Sequence, residues 1–121
     1  SVPEEKRDEL RGEIRIQKAC AYHFESVMNQ CRFVLARDKA LAAGKRGELL
    51  QACEELERII QAEEQTAANL CRLQSVDSRI GYEASNHYFY VPNDLREKLI
   101  NCRWLLDNWL PDLRKRAVTL E

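Results

Sequence analysis

From Pro3 to Ala43 no proline interrupts the chain, and apolar side chains return at Leu10, Ile14, Ala21, Phe24, Met28, Cys31 and Leu35. Their steps alternate between four and three, with only Gln17 breaking the series. That spacing predicts one long helix carrying a heptad-like stripe, and the stripe is expected to be its buried face. Pro3 followed by Glu4 and Glu5 suits a helix start, because proline fits the first turn and carboxylates favour the positive end of the helix dipole. Gly44, beside Lys45 and Arg46, is the expected stop. About forty residues make a rod of about 60 Å, which calls for partners along its length.

A second helix is expected from Gly47 to Ser75, with Leu49, Cys53, Leu56, Ile60, Ala67, Leu70 and Cys71 on its inner face and Glu63 and Glu64 interrupting it. The Gly44-Lys45-Arg46-Gly47 link is short enough to force a hairpin. Pro92-Asn93-Asp94 opens a third helix, with Asn93 as its expected cap and Leu95, Leu99, Cys102, Leu106 and Trp109 on its buried face. Pro111 should kink or end that helix, and Asp112 to Leu120 can continue as a further short one. The expected fold is therefore all-α. Three long antiparallel helices would form an up-down bundle sharing one seam, residues 1–121 making a single domain.

Composition narrows the function classes. With 4 Gly and 3 Pro in 121 residues, an all-β fold or a disordered chain is excluded. A net charge of −1 supplies no global field for nucleic acid, and no apolar run approaches a membrane-spanning length. The five cysteines are odd in number, far apart and never in a C-x-x-C pair, which fits neither a zinc site nor a disulfide framework. Cys31, Cys53, Cys71 and Cys102 fall on apolar helical positions, where a free thiol acts as a small core hydrophobe. His23 and His87 lie on distant elements without a Glu-x-x-His pairing, so neither a metal nor a cofactor is expected.

One segment is not ordinary bundle sequence. Residues 77–92 hold four of the nine aromatics and one of the two histidines. Tyr82, Tyr88 and Tyr90 offer flat faces with a polar tip, while Arg79, Glu83, Asn86 and His87 supply donors and acceptors, a mixture suited to a sugar. The same residues also suit a structural task, the aromatics plugging the open end of the bundle and the polar groups capping helix termini. Glu83 is the only carboxylate in the middle of this segment, so the facing pair that a glycosidase needs is missing and no catalytic residue is assigned.

The stretch from Asp77 through Tyr88, centred on Arg79, Gly81, Tyr82, Glu83 and Ser85 in an R-x-G-aromatic-E-x-S pattern, is followed by Asn93 to Lys98 and by Cys102-Arg103-Trp104-Leu105-Leu106. Together these resemble the C-terminal helical region of large glycoside-hydrolase-like proteins of bacteria, of the Bacteroidetes type. The likeness covers about the last 45 residues. It implies a fragment of a larger protein, an accessory module whose partners would be the catalytic domain of the same parent chain and an oligosaccharide. The parent's catalytic carboxylates would sit on a separate barrel. An alternative from the residues themselves is a free-standing interaction or oligomerisation domain, with Ile16, Phe33 and Val34 of the first helix offered to a partner. The resemblance implies export to the periplasm or beyond, whereas free cysteines favour the cytoplasm.

Overall fold

In the computed structural model, which describes residues 3–77 and 92–121, the chain is almost wholly helical, with no strand among the described residues. Helix α1 spans Glu4–Ala42, α2 Arg46–Val76 and α3 Pro92–Trp104. A π-helical turn, Leu105–Trp109, then leads into α4, Leu110–Lys115, and a closing 3-10 turn, Arg116–Thr119.

The link between α1 and α2 is shorter than the four-residue hinge expected. Ala43 leaves helical geometry at φ −62° and ψ 125°, and its N–H bonds the Ala40 carbonyl at 3.3 Å. The helix thus ends at Ala42, two residues before Gly44. Glycine is not needed for a left-handed cap here, because an extended Ala43 already turns the chain. Helix α2 returns antiparallel: Ala40 and Leu49 share a core at the hinge, Ser26 and Asn29 meet Glu63 midway, and Arg15 meets Asp77 at 3.8 Å at the far end. Asn93, the expected cap of the third helix, lies inside the first turn of α3 instead. Proline at the first helical position accounts for this, since its fixed φ and missing N–H suit that place.

Pro111 neither ends nor breaks the helix. A proline cannot donate to the carbonyl four residues back, and its ring crowds that carbonyl. The chain answers by widening into the π turn just upstream, where the Leu110 N–H reaches Leu105 O and the Asn108 side chain donates to Trp104 O. The widened turn keeps the C-terminal segment pointed at the hinge. There Arg46 N–H bonds Glu121 O at 3.0 Å and the Arg46 guanidinium donates to Ala117 O at 3.0 Å.

Two apolar clusters result. The larger, at the hinge, joins Ala36, Ala40, Leu49, Cys53, Leu56, Leu110, Leu113 and Ala117, with Phe33 and Trp109 packed on it at a centroid distance of 5.8 Å. The smaller, at the other end, joins Ala19, Leu70 and Leu95, flanked by Tyr22 and Leu73. Helix α2 is the common member. Both α1 and α3 pack on it, but their backbones do not approach each other within 8 Å among the described residues. All three helices still meet through side chains in the smaller cluster, where Ala19, Leu70 and Leu95 pack together.

The main correction concerns α1. Its heptad stripe faces outward: Leu10 is 58% exposed, Phe24 68% and Leu35 63%, and Ile14, Ala21, Met28 and Cys31 are exposed as well. What packs on α2 is a second series on nearly the opposite side, Gly12, Ala19, Ser26, Asn29, Ala36 and Ala40, with Arg15, Tyr22 and Phe33 half-buried between them. Small side chains let the helix axes approach closely, and α2 fills the space with Leu49, Leu56, Ile60 and Leu70. Consequently Cys31 is not a core thiol, and Cys71 is only half-buried. Of the residues expected to be offered to a partner, Val34 is exposed, whereas Phe33 and Ile16 are half-buried.

Candidate functional site

Between the two apolar clusters lies a polar layer. Glu63, which breaks the apolar pattern of α2, is buried, and its carboxylate is held from three directions. The Ser26 hydroxyl donates to Oε1 at 2.6 Å, the Asn29 amide donates to Oε2 at 3.0 Å, and Lys98 Nζ of α3 lies 2.6 Å from Oε1. Lys98 also donates to Ser26 Oγ at 2.8 Å, and Gln30 donates to the same oxygen at 3.2 Å. A carboxylate taken out of water needs such compensation, and the layer supplies it from all three long helices. Lys98 is the strut that ties α3 to α1 across the gap between them.

That gap forms an open groove of about 390 Å³ beside the polar layer. Its floor is Ile59, Ile60 and Glu63 of α2, and its walls are Phe33 and Val34 of α1, Cys102 of α3 and Leu105 of the π turn. The Cys102 thiol is pushed up to about 11, first by burial and then by the Glu63 and Glu64 carboxylates, with Lys98 and Arg103 opposing. Burial also raises Cys53, against the nearby Arg114. These thiols stay protonated at neutral pH, which is the opposite of what a nucleophilic cysteine requires. Glu63 in turn is engaged by an ammonium and two neutral donors. The arrangement clamps three helices.

On the other flank of α3, Trp104 and Ile100 stand 56% and 67% exposed over a shallow depression of about 620 Å³. Gln61, Glu64, Gln65, Arg103 and Asp107 surround them, and Arg103 pairs with Glu64 at 2.6 Å. No group of three or more potential metal ligands occurs among the described residues, and no described helix is long and apolar enough to cross a membrane.

The site residues expected from sequence, Arg79, Tyr82, Glu83, Asn86, His87, Tyr88 and Tyr90, lie outside the described residues. His23, expected as a rim or core histidine, is half-buried on α1 with its ring edge-on to Phe24 at 5.8 Å. Sequence reasoning missed the polar layer, although Glu63 was visible as a break in an apolar stripe. Its partners carried no such signal, because Ser26 and Asn29 sit on the α1 face that the sequence made look like the solvent side.

No family model, no curated protein and no solved structure matches this chain. Function therefore rests on what the helices present.

Proposed function

We propose that the chain is a non-catalytic helical interaction module whose working surface is the outward face of α1. The observation that carries this reading is the row of large apolar residues, Leu10, Ile14, Phe24, Met28 and Leu35, on one face of α1 at heptad-like spacing interrupted only by Gln17, left 43% to 68% exposed on a helix whose opposite face is already packed. An apolar face of this length on a soluble surface marks a contact with another chain or domain. On this reading, the closed bundle expected from the sequence is completed by what covers α1.

Met28 is the chain's only methionine and half exposed, so it reports directly on that face. In the native protein taken from its source cells, peroxide is expected to oxidise Met28 far more slowly than in the unfolded chain. Equal rates would overturn the reading.

A second reading is an accessory module of a larger carbohydrate-active protein, with residues 77–92 as the docking or sugar-contacting surface. It rests on the resemblance of residues 77–106 and on Trp104, an exposed ring at the end of α3 surrounded by hydrogen-bonding side chains. Titration of the intrinsic fluorescence with oligosaccharides tests it: the change should vanish in Trp104→Ala and in Tyr88→Ala. A response that survives both substitutions would discard this surface.

A further inference from the structure

The outward face of α1 has a polarity along its length that selects its partner. In heptad terms its core positions run from Arg7 through Leu10, Ile14, Gln17, Ala21, Phe24, Met28, Cys31 and Leu35 to Asp38, with a cation closing one end and an anion the other. All of these, Arg7 and Asp38 included, are solvent-exposed. A second copy laid parallel and in register would set Arg7 against Arg7 and Asp38 against Asp38, burying like charges at both ends. A second copy laid antiparallel, so that facing residue numbers add up to 45, does the reverse.

We infer that the face is completed by a second copy of this chain, packed antiparallel along α1 about a two-fold axis between Tyr22 and His23. This inference rests on the reading of that face as a working surface. In this register Arg7 faces the partner's Asp38, and Ala21 faces the partner's Phe24, a small residue receiving a large one on each side of the axis. Flanking the seam, Lys18 meets the partner's Glu25 and Glu4 meets the partner's Lys39. Each contact occurs twice by symmetry. Only Arg11 and the partner's Arg32 are like-charged. Shifting by one heptad, so that facing numbers add up to 52, shortens the overlap and turns the favourable flank wholly repulsive, with Lys18 against Arg32, Arg11 against Lys39 and Glu25 against itself, and sets Asp38 on Ile14. The charges therefore choose the antiparallel direction and reject that shift, while the opposite shift, to a sum of 38, keeps Arg11 against Glu25 but shortens the overlap and separates Arg7 from Asp38. Helix α2 does not obstruct the approach, because it lies about 150° around α1 from the seam. A seam of about 55 Å is long enough for a stable two-helix contact, and the polar layer around Glu63 holds each protomer together behind it.

The test uses the 121-residue chain with Cys20→Ser, which removes the other exposed thiol of α1. Sedimentation velocity should show a monomer–dimer equilibrium. Glu25→Lys should weaken it by about tenfold or more, and Lys18→Glu combined with Glu25→Lys should restore it. Under mild oxidation, Ile14→Cys should form a disulfide-linked dimer through Cys31, located by peptide mass spectrometry, whereas the parent should not cross-link. A Cys31–Cys31 bridge in the parent would show parallel packing and overturn the inference, as would a monomer at every concentration. In that last case Met28 protection in the native protein, absent from the concentrated chain, would leave the interaction reading standing with a different partner. Circular dichroism checks that each surface variant keeps its helix content.

Discussion

The two faces of α1 are built to nearly the same period and do opposite work. The inner face carries Gly12, Ala19, Ser26, Ala36 and Ala40, and it is buried against α2. The outer face carries Leu10, Ile14, Phe24, Met28 and Leu35, and it is exposed. Apolar area alone would have reversed the choice, at about 25 cal/mol for each Å² buried. What decides is the shape and chemistry of α2. Its inner side holds bulky leucines and isoleucines that fill a close approach, and Glu63 demands the hydroxyl and amide that only the small face offers. Burial follows complementarity, and the greasier face is left exposed.

The contrast is open to attack from its polar centre outward. Glu63→Ala removes the anion from a layer that holds Lys98, Ser26 and Asn29, and it should lower stability by about 3–5 kcal/mol in urea unfolding. A loss below about 1 kcal/mol would mean that the layer is not what clamps the helices. Ala40→Leu, at a position with no exposure, should destabilise by about 1–3 kcal/mol through overpacking against Leu49 and its neighbours. If it were neutral, close approach of α1 and α2 would not be what selects the inner face.

The Cys102 thiol gives a pH signature of the same interior. Its pKa in the folded chain is raised, so the stability it contributes is complete below the ordinary thiol value of 9.0 and is lost as pH climbs toward about 11. Thermal melts should show an alkaline decline of about 2 kcal/mol across that window, diminished in Cys102→Ala. The outer face should respond least. In a dilute monomer, Leu35→Ser should change stability by less than about 0.5 kcal/mol, because the side chain is 63% exposed. A large loss there would place the outer stripe in the chain's own core.

Much of the fold is legible in the sequence where composition and periodicity agree. The long proline-free run, the turn between α1 and α2 and, apart from half-buried Cys71, the seam of α2 are read correctly, and Glu63 is visible as a flaw in that seam. The site is less legible, because its members come from three helices and only Glu63 interrupts a pattern. Lys98 and Ser26 look like ordinary surface residues until α3 is laid on α2 and Lys98 is seen to span the gap. Pro111 reads as a helix end, yet the π turn absorbs it, since the hinge contacts of Leu110, Leu113 and Ala117 hold the segment on course.

By itself the sequence determined that this chain is helical, where its helices turn, and that α1 carries a heptad series of large apolar residues. Local preferences and a 3-4 spacing suffice for that, because both are properties of a single helix. Only the tertiary structure decided which face of α1 is spent inside the molecule. Period gives the same answer for either face, whereas packing depends on the size of the side chains that meet and on a buried carboxylate finding its donors.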